Sequence, residues 1–273
     1  MGIFEQILIG LQSEMTEPTT FGWFHLLWIG LTIVSIVYFI IKRDKLNEKT
    51  LKLVLAIYGI TTFILELLKQ ISWSYNFDPI LNVGIWDYEW YAAPFQLCTT
   101  PLYVSLICLF LNKSKIRDSL LSYVAYFTIL GGMVTILMPD SCFVEDILVN
   151  VHTMFLHCGS LVVSIYLLIS KEVKINFQSV LNGFKVFIIF VLIALFLNIT
   201  FYQFGFIGDE TFNMFFISPY FISTLPVYST IQQNVPYIAF LIFYILSIFL
   251  GACLIYFVAL LIEKISKRKC KIK

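Results

Sequence analysis

Charge is what this chain has least of. Asp, Glu, Lys and Arg make up 13% of its 273 residues, hydrophobic residues make up 59%, and the mean hydropathy is +0.88. That composition leaves too little polar surface to face water, which excludes a soluble domain, and no nucleic-acid partner is expected. Groups that carry chemistry are also few: three histidines and six cysteines, Cys98, Cys108, Cys142, Cys158, Cys253 and Cys270. The cysteines are scattered, mostly inside apolar runs, with neither metal-finger spacing nor a disulfide framework, so no metal or other cofactor is expected. Residues 1–15 lack the basic stretch and the small-residue cleavage site of a signal peptide. Ile3, Phe4, Ile7, Leu8 and Leu11 instead line one side of a short amphipathic helix expected to lie at the membrane interface. No internal repeat and no low-complexity segment is visible, and the chain 1–273 reads as one domain.

What the chain has in abundance is apolar length. Crossing a hydrocarbon core of about 30 Å takes about 20 helical residues. Seven runs qualify, at Phe21–Ile41, Leu51–Ile71, Pro94–Asn112, Leu120–Met138, Leu148–Ser170, Phe184–Phe204 and Pro236–Ile262. The sparse charges sort themselves along these runs. Basic residues follow the first span (Lys42, Arg43, Lys45, Lys49, Lys52), the third (Lys113, Lys115, Arg117), the fifth (Lys171, Lys174, Lys185) and the seventh (Lys264 to Lys273). Every Lys and Arg but Lys69 thus falls on one side, while the other connections carry acidic residues such as Asp78, Asp87, Glu89, Glu145, Asp209 and Glu210. Basic loops stay in the cytoplasm, so the N-terminus is expected outside and the C-terminus inside. An even number of spans would mix the two sets. The expected fold is an all-α, seven-transmembrane helix bundle, with 263–273 a basic cytoplasmic tail resting on anionic lipid. Heavy use of Ile, Lys, Asn and Phe points to a bacterium and hence to the plasma membrane. Two outer connections are long, 72–93 and 205–235, and the second is expected to fold over the outer mouth as a lid.

At 1.5 Å of rise per residue, depth follows from position. His25 lies four residues into the first span, Glu66 and Lys69 in the last two turns of the second, and Cys98 four residues into the third. His152 lies about one turn deep in the fifth span and His157 roughly 13 Å deep, while Asn198, Thr200 and Gln203 reach the same layer from the sixth. Polar side chains are costly in lipid and mark sites, so their gathering in the outer half argues for a cavity open to the outer leaflet. Glu66 and Lys69, a turn apart, also suit a mutual ion pair with no further role.

Cys98 is the candidate nucleophile of the layer, flanked by Gln96, Thr99 and Thr100. A thiol becomes a nucleophile when a base takes its proton, and histidine is the usual base. His152 and His157 project about 140° apart around their helix, so they cannot both face Cys98. Depth alone selects His152.

The residues quoted so far are similar to a known family. A histidine early in the first span (F-G-W-F-H-L-L, His25) is followed by a glutamate late in the second (L-E-L-L-K, Glu66), and P-F-Q-L-C opens the third (Cys98). A histidine close to glycine lies in the fifth (F-L-H-C-G, His157), and N-M-F-F-I-S-P, from Asn213 to Pro219, precedes the seventh. In this order they resemble YwaF-like bacterial integral membrane proteins, whose animal relative is an ether-phospholipid acyltransferase. The resemblance covers nearly the whole chain. It implies that Cys98 carries an acyl chain as a thioester and that His157 is the base, in place of His152. The chain departs from the family in Cys158, which separates His157 from Gly159. The expected function is therefore acyl transfer between membrane lipids, a phospholipid or lysolipid being the partner. Gln96, Thr99 or Thr100 would donate to the oxyanion, while His25 or Glu66 would orient the histidine or bind a headgroup. Two other classes fit the same residues. One is a lipid hydrolase with zinc held by His25, His152, His157 and Glu66. The other is a transporter or receptor that binds a small ligand without turnover.

Overall fold

The computed structural model describes residues 2–78, 80–139 and 142–271, the side chains of 268–271 excepted. The chain opens with α1 (Ile3–Leu11), whose Leu8 is buried while Ile3, Phe4 and Ile7 stay exposed, as a helix at an interface requires. Just beyond it, Gln12 donates to the carbonyls of Ser72 (2.7 Å) and Tyr75 (2.5 Å), which seats this helix over the end of the second long helix. α2 (Trp23–Lys42) and α3 (Glu48–Ser74) follow, the latter capped by the Asn47 side chain on the N–H groups of Lys49 and Thr50. The long connection after α3 is not wholly irregular, contrary to an all-helical expectation. β1 (Tyr75–Asp78) and β2 (Val83–Trp86) pair antiparallel, with Tyr75 opposite Trp86. Alternating Tyr, Phe, Ile and Trp suit a pleated hairpin, and Asn82 takes the left-handed backbone of its turn (φ +52°).

The third span departs most from expectation. Its helix, α4 (Thr100–Phe110), has 11 residues and reaches about 16 Å, half a hydrocarbon core. Residues 94–99 do not join it, because side chains there hold the backbone otherwise. The Thr99 hydroxyl accepts from the Gln96 N–H (2.9 Å) and faces the carbonyls of Gln96 and Pro94, closing a turn in place of a helix. Pro101, not Pro94, occupies the first helical turn, where a missing N–H is harmless.

α5 (Lys115–Tyr123) runs through a π turn, Val124–Thr128, into α6 (Ile129–Leu137) and forms the central column; all five π residues are buried. The Ser164 hydroxyl donates to the Val124 carbonyl (2.8 Å), supplying a partner where the α-helical bond is lost. α7 (Ile147–Ile169) and α8 (Phe177–Gln203) pack on this column. α8 starts seven residues earlier than its apolar run, because Asn176 caps it, so Lys185 is an exposed helical residue and not part of a loop. Gly183 lets it cross α5 closely: a Cβ there would meet the backbone of Ser122 and Tyr123 at 2.9–3.0 Å. α9 (Pro226–Asn234) is short, and α10 (Tyr237–Lys271) continues as helix through most of the expected tail. On α10, Ile238, Ile242, Leu246, Leu250, Leu254 and Phe257 form an exposed stripe that no protein covers, the face expected toward lipid.

Among the described residues six helical stretches are long and apolar enough to cross a membrane: 23–45, 48–74, 115–137, 147–169, 177–203 and 237–267. At the basic end of the bundle, Arg117 is not a free loop cation. It is buried (2% exposed) and holds both Glu48 oxygens at 2.6 and 2.7 Å, a bidentate clasp tying α5 to α3.

Candidate functional site

The site is built on α3. Tyr58, Thr62, Glu66 and Gln70 recur every four residues, so one polar stripe runs up the helix and faces inward. α4 lies antiparallel against it through Gly59, whose missing Cβ admits Ser105 and Leu106 (3.1–3.3 Å). Seven residues from that contact along either chain stand Glu66 and Cys98, in one layer. α7 is also antiparallel to α3: Tyr58 lies over Gly159, and its hydroxyl donates to the Leu156 carbonyl (3.3 Å). About two turns further, His152 meets Glu66.

Glu66 is the hub. Its Oε1 takes Lys69 Nζ and Gln70 Nε2, each at 2.7 Å, and its Oε2 lies 2.7 Å from His152 Nε2. This last approach is short without the alignment of a hydrogen bond, yet neither atom has another partner. All of Glu66, Lys69 and His152 are buried. Gln70 also donates to the Ala92 carbonyl (2.7 Å), tying the cluster to the segment that leads to Cys98. Lys69 sits 5.9 Å from the Trp73 ring centre, a cation over an aromatic face.

Cys98 is a free thiol in the turn before α4. Lys69, Cys142 and Glu66 lie within electrostatic reach of its sulfur, as do the hydroxyls of Tyr58, Tyr123 and Tyr244 on three different helices. It is therefore deep in the bundle, yet it keeps accessible surface. No hydrogen bond joins the sulfur to either α7 imidazole among the described residues. His157, as its helical angle demands, turns from Glu66 toward the backbone of Gly131 on α6, and its buried Nδ1 has no partner among the described residues.

Several expected contributors bind the protein's own backbone. Gln96 donates to the Asn213 carbonyl (3.0 Å) and accepts from the Phe215 N–H (2.8 Å). Asn198 grips Met214 in the same two-handed way, at 3.0 and 2.7 Å. Asn213 accepts from the Ser218 N–H (2.8 Å). Together they draw residues 213–218 into the bundle, where Met214, Phe215, Ile217 and Ser218 are fully buried. The segment is a plug held by amides, not a lid laid over the mouth. The Thr99 and Thr100 hydroxyls are spent on local carbonyls and on Tyr123. His25 has both ring nitrogens engaged, Nδ1 by the Phe21 N–H (3.0 Å) and Nε2 by the Ile136 carbonyl (2.9 Å), which ties α2 to α6. Among the described residues no group of three or more His, Cys, Asp or Glu is placed to hold a metal ion.

Beside Gln70 the hairpin forms a cavity of about 390 Å³ with Trp86, Asp87 and Tyr88 in its wall. At this mouth Glu89 is held above the usual carboxylate range, by partial burial first and then by the charges of Glu210 and Asp87. Gln70 and Tyr58 were legible as members of the i, i+4 polar stripe that Glu66 belongs to. Tyr123, which reaches the layer from another helix, carries no comparable signal.

A bundle of long apolar helices with exposed apolar outer faces is a multi-pass membrane protein. More narrowly, the chain belongs to the TMEM164 family, whose model matches residues 20–261. No curated protein and no solved structure matches it.

Proposed function

We propose that this protein moves an acyl chain between lipids through a thioester on Cys98. The observation that carries the reading is the placement of this thiol: deep among polar groups from several helices, accessible, and next to a buried Glu66–Lys69–His152 cluster. The motif resemblance to YwaF-like proteins and their acyltransferase relative supports it independently.

In this scheme an ester carbonyl of a phospholipid comes to the sulfur. The thiol proton passes to His157, the base that the motif resemblance implies. The C–S bond forms and the ester C–O bond breaks. The leaving lysolipid oxygen takes the proton from the imidazole. An acceptor hydroxyl or amine then attacks the thioester, losing its proton to the same ring while the thiol is restored. Lys69 offsets the developing negative charge, and Glu66 holds Lys69 and His152 in place.

The charge alternation supports a seventh crossing completed by residues 94–99 with α4 and an outside N-terminus, and the heavy use of Ile, Lys, Asn and Phe supports residence in a bacterial plasma membrane. The test of function is mass spectrometry of the purified protein after incubation with a labelled phospholipid. A hydroxylamine-sensitive acyl adduct on Cys98 is expected, absent in Cys98→Ala, which still retains lipid. Equal labelling of the alanine variant would sink the scheme.

A further inference from the structure

A second cavity lies away from this site, on the flank formed by α2, α3 and α7. It is a groove of about 500 Å³ running from Trp28 to Phe39 along α2, with Tyr58 on its floor and Gly159 and Val162 on the far wall. From Trp28 to Phe39 the groove extends about 16 Å along α2. Leu31, Val34 and Ile57 on its rim are 51%, 66% and 57% exposed, so it opens sideways along its length onto the face expected toward lipid.

Its chemistry narrows the occupant. No charged residue lines it. Three hydroxyls in its wall are already satisfied: Thr32 donates to Trp28 (2.8 Å), Ser35 to Leu31 (2.7 Å) and Tyr58 to Leu156. The Trp28 indole N–H, unpartnered among the described residues, and the Tyr38 hydroxyl are neutral donors, and no charge is present to hold a charged headgroup. An uncharged, mostly apolar trough about 16 Å long that opens along its side toward lipid suits one hydrocarbon chain lying in it.

We infer that this groove is the seat of one acyl chain of a bound lipid. The binding site follows from its own shape and lining. Its further role, holding the donor chain while the carbonyl reaches past Tyr58 to Cys98, rests on the acyl-transfer reading above. Tyr58 is the wall between the two: its ring floors the groove, and its hydroxyl is within electrostatic reach of the sulfur.

The test reconstitutes the full chain in phosphatidylcholine vesicles containing a phospholipid with a diazirine in its palmitoyl chain. Irradiation and peptide mapping then locate the label. The expected result is label concentrated on α2 and α7 residues of the groove, lost severalfold in Val162→Trp and Val34→Trp, and unchanged in Leu250→Trp on the lipid face of α10. Val34 is at the exposed rim, so its variant decides the matter if Val162→Trp folds poorly. Uniform labelling of all lipid-facing residues, unaltered labelling in the filled variants, or efficient Val34→Cys cross-linking between two copies would each overturn the assignment. Groove label without a Cys98 adduct upholds the groove and rejects the thioester. An adduct that persists without groove label does the reverse.

Discussion

Glu66 on α3 and His152 on α7 stand 2.7 Å apart in the buried interior, and Lys69 approaches the other carboxylate oxygen at the same distance. Removing one member of such a cluster strands its partners. Glu66→Gln is expected to destabilise the protein by about 3–5 kcal/mol, the usual cost of breaking a buried ion pair. The double variant with Lys69→Met should regain more than half, because no unpaired cation remains. A thermal-unfolding double-mutant cycle checks this, and strictly additive losses would show that the residues are not coupled.

Asn198 satisfies both the N–H and the carbonyl of Met214 inside the bundle. Asn198→Leu keeps the branched outline of the side chain and removes both partners. Each stranded buried group costs about 1–3 kcal/mol, so a loss of about 2–6 kcal/mol is expected. The plug should also loosen, which faster proteolysis within residues 205–225 would report.

Phe215 and Phe216 share a left-handed backbone, φ +59° and +58°, which costs about 1–2 kcal/mol for a residue with a side chain. Only Phe215 is fully buried. Phe216→Gly should therefore be close to neutral, relief of strain offsetting the ring it removes. Phe215→Gly should cost about 3–5 kcal/mol, as for other buried phenylalanines cut back. Comparable unfolding midpoints for the two variants would contradict this.

Glu89 titrates above the ordinary glutamate value because burial and the Glu210 and Asp87 charges oppose its ionisation. A carboxyl whose folded value is raised lends stability while protonated. That contribution is complete below about 4.3 and disappears as pH climbs through the raised value. Glu89→Gln should accordingly flatten the fall in unfolding temperature across that window and match the parent at the acid end. Parallel pH profiles for the two proteins would refute it.

Much of this architecture was readable one residue at a time. The apolar runs located α2 and α7 to within two residues, since burial in lipid demands a continuous apolar stretch whatever it packs against. Depth arithmetic placed His152 in the layer of Glu66, and the structure brings them together. The turn at Cys98 was not readable in this way. Residues 94–99 look helical by composition, but Gln96 spends its amide on a backbone 117 positions away. The local turn closed by Thr99 and the distant partner of Gln96 together hold these residues out of the helix.

Composition and the periodic placement of charge were enough to establish a bundle of membrane helices, because the cost of a polar group in hydrocarbon acts on each residue separately. Which groups meet is another matter. The clasp of Arg117 on Glu48, the pairing of His152 with Glu66, and the capture of the 213–218 plug by Gln96 and Asn198 depend on contacts between segments far apart in the chain. Tertiary packing alone decided those, since hydrogen bonds and ion pairs act over a few ångströms and local sequence does not say what will arrive within that range.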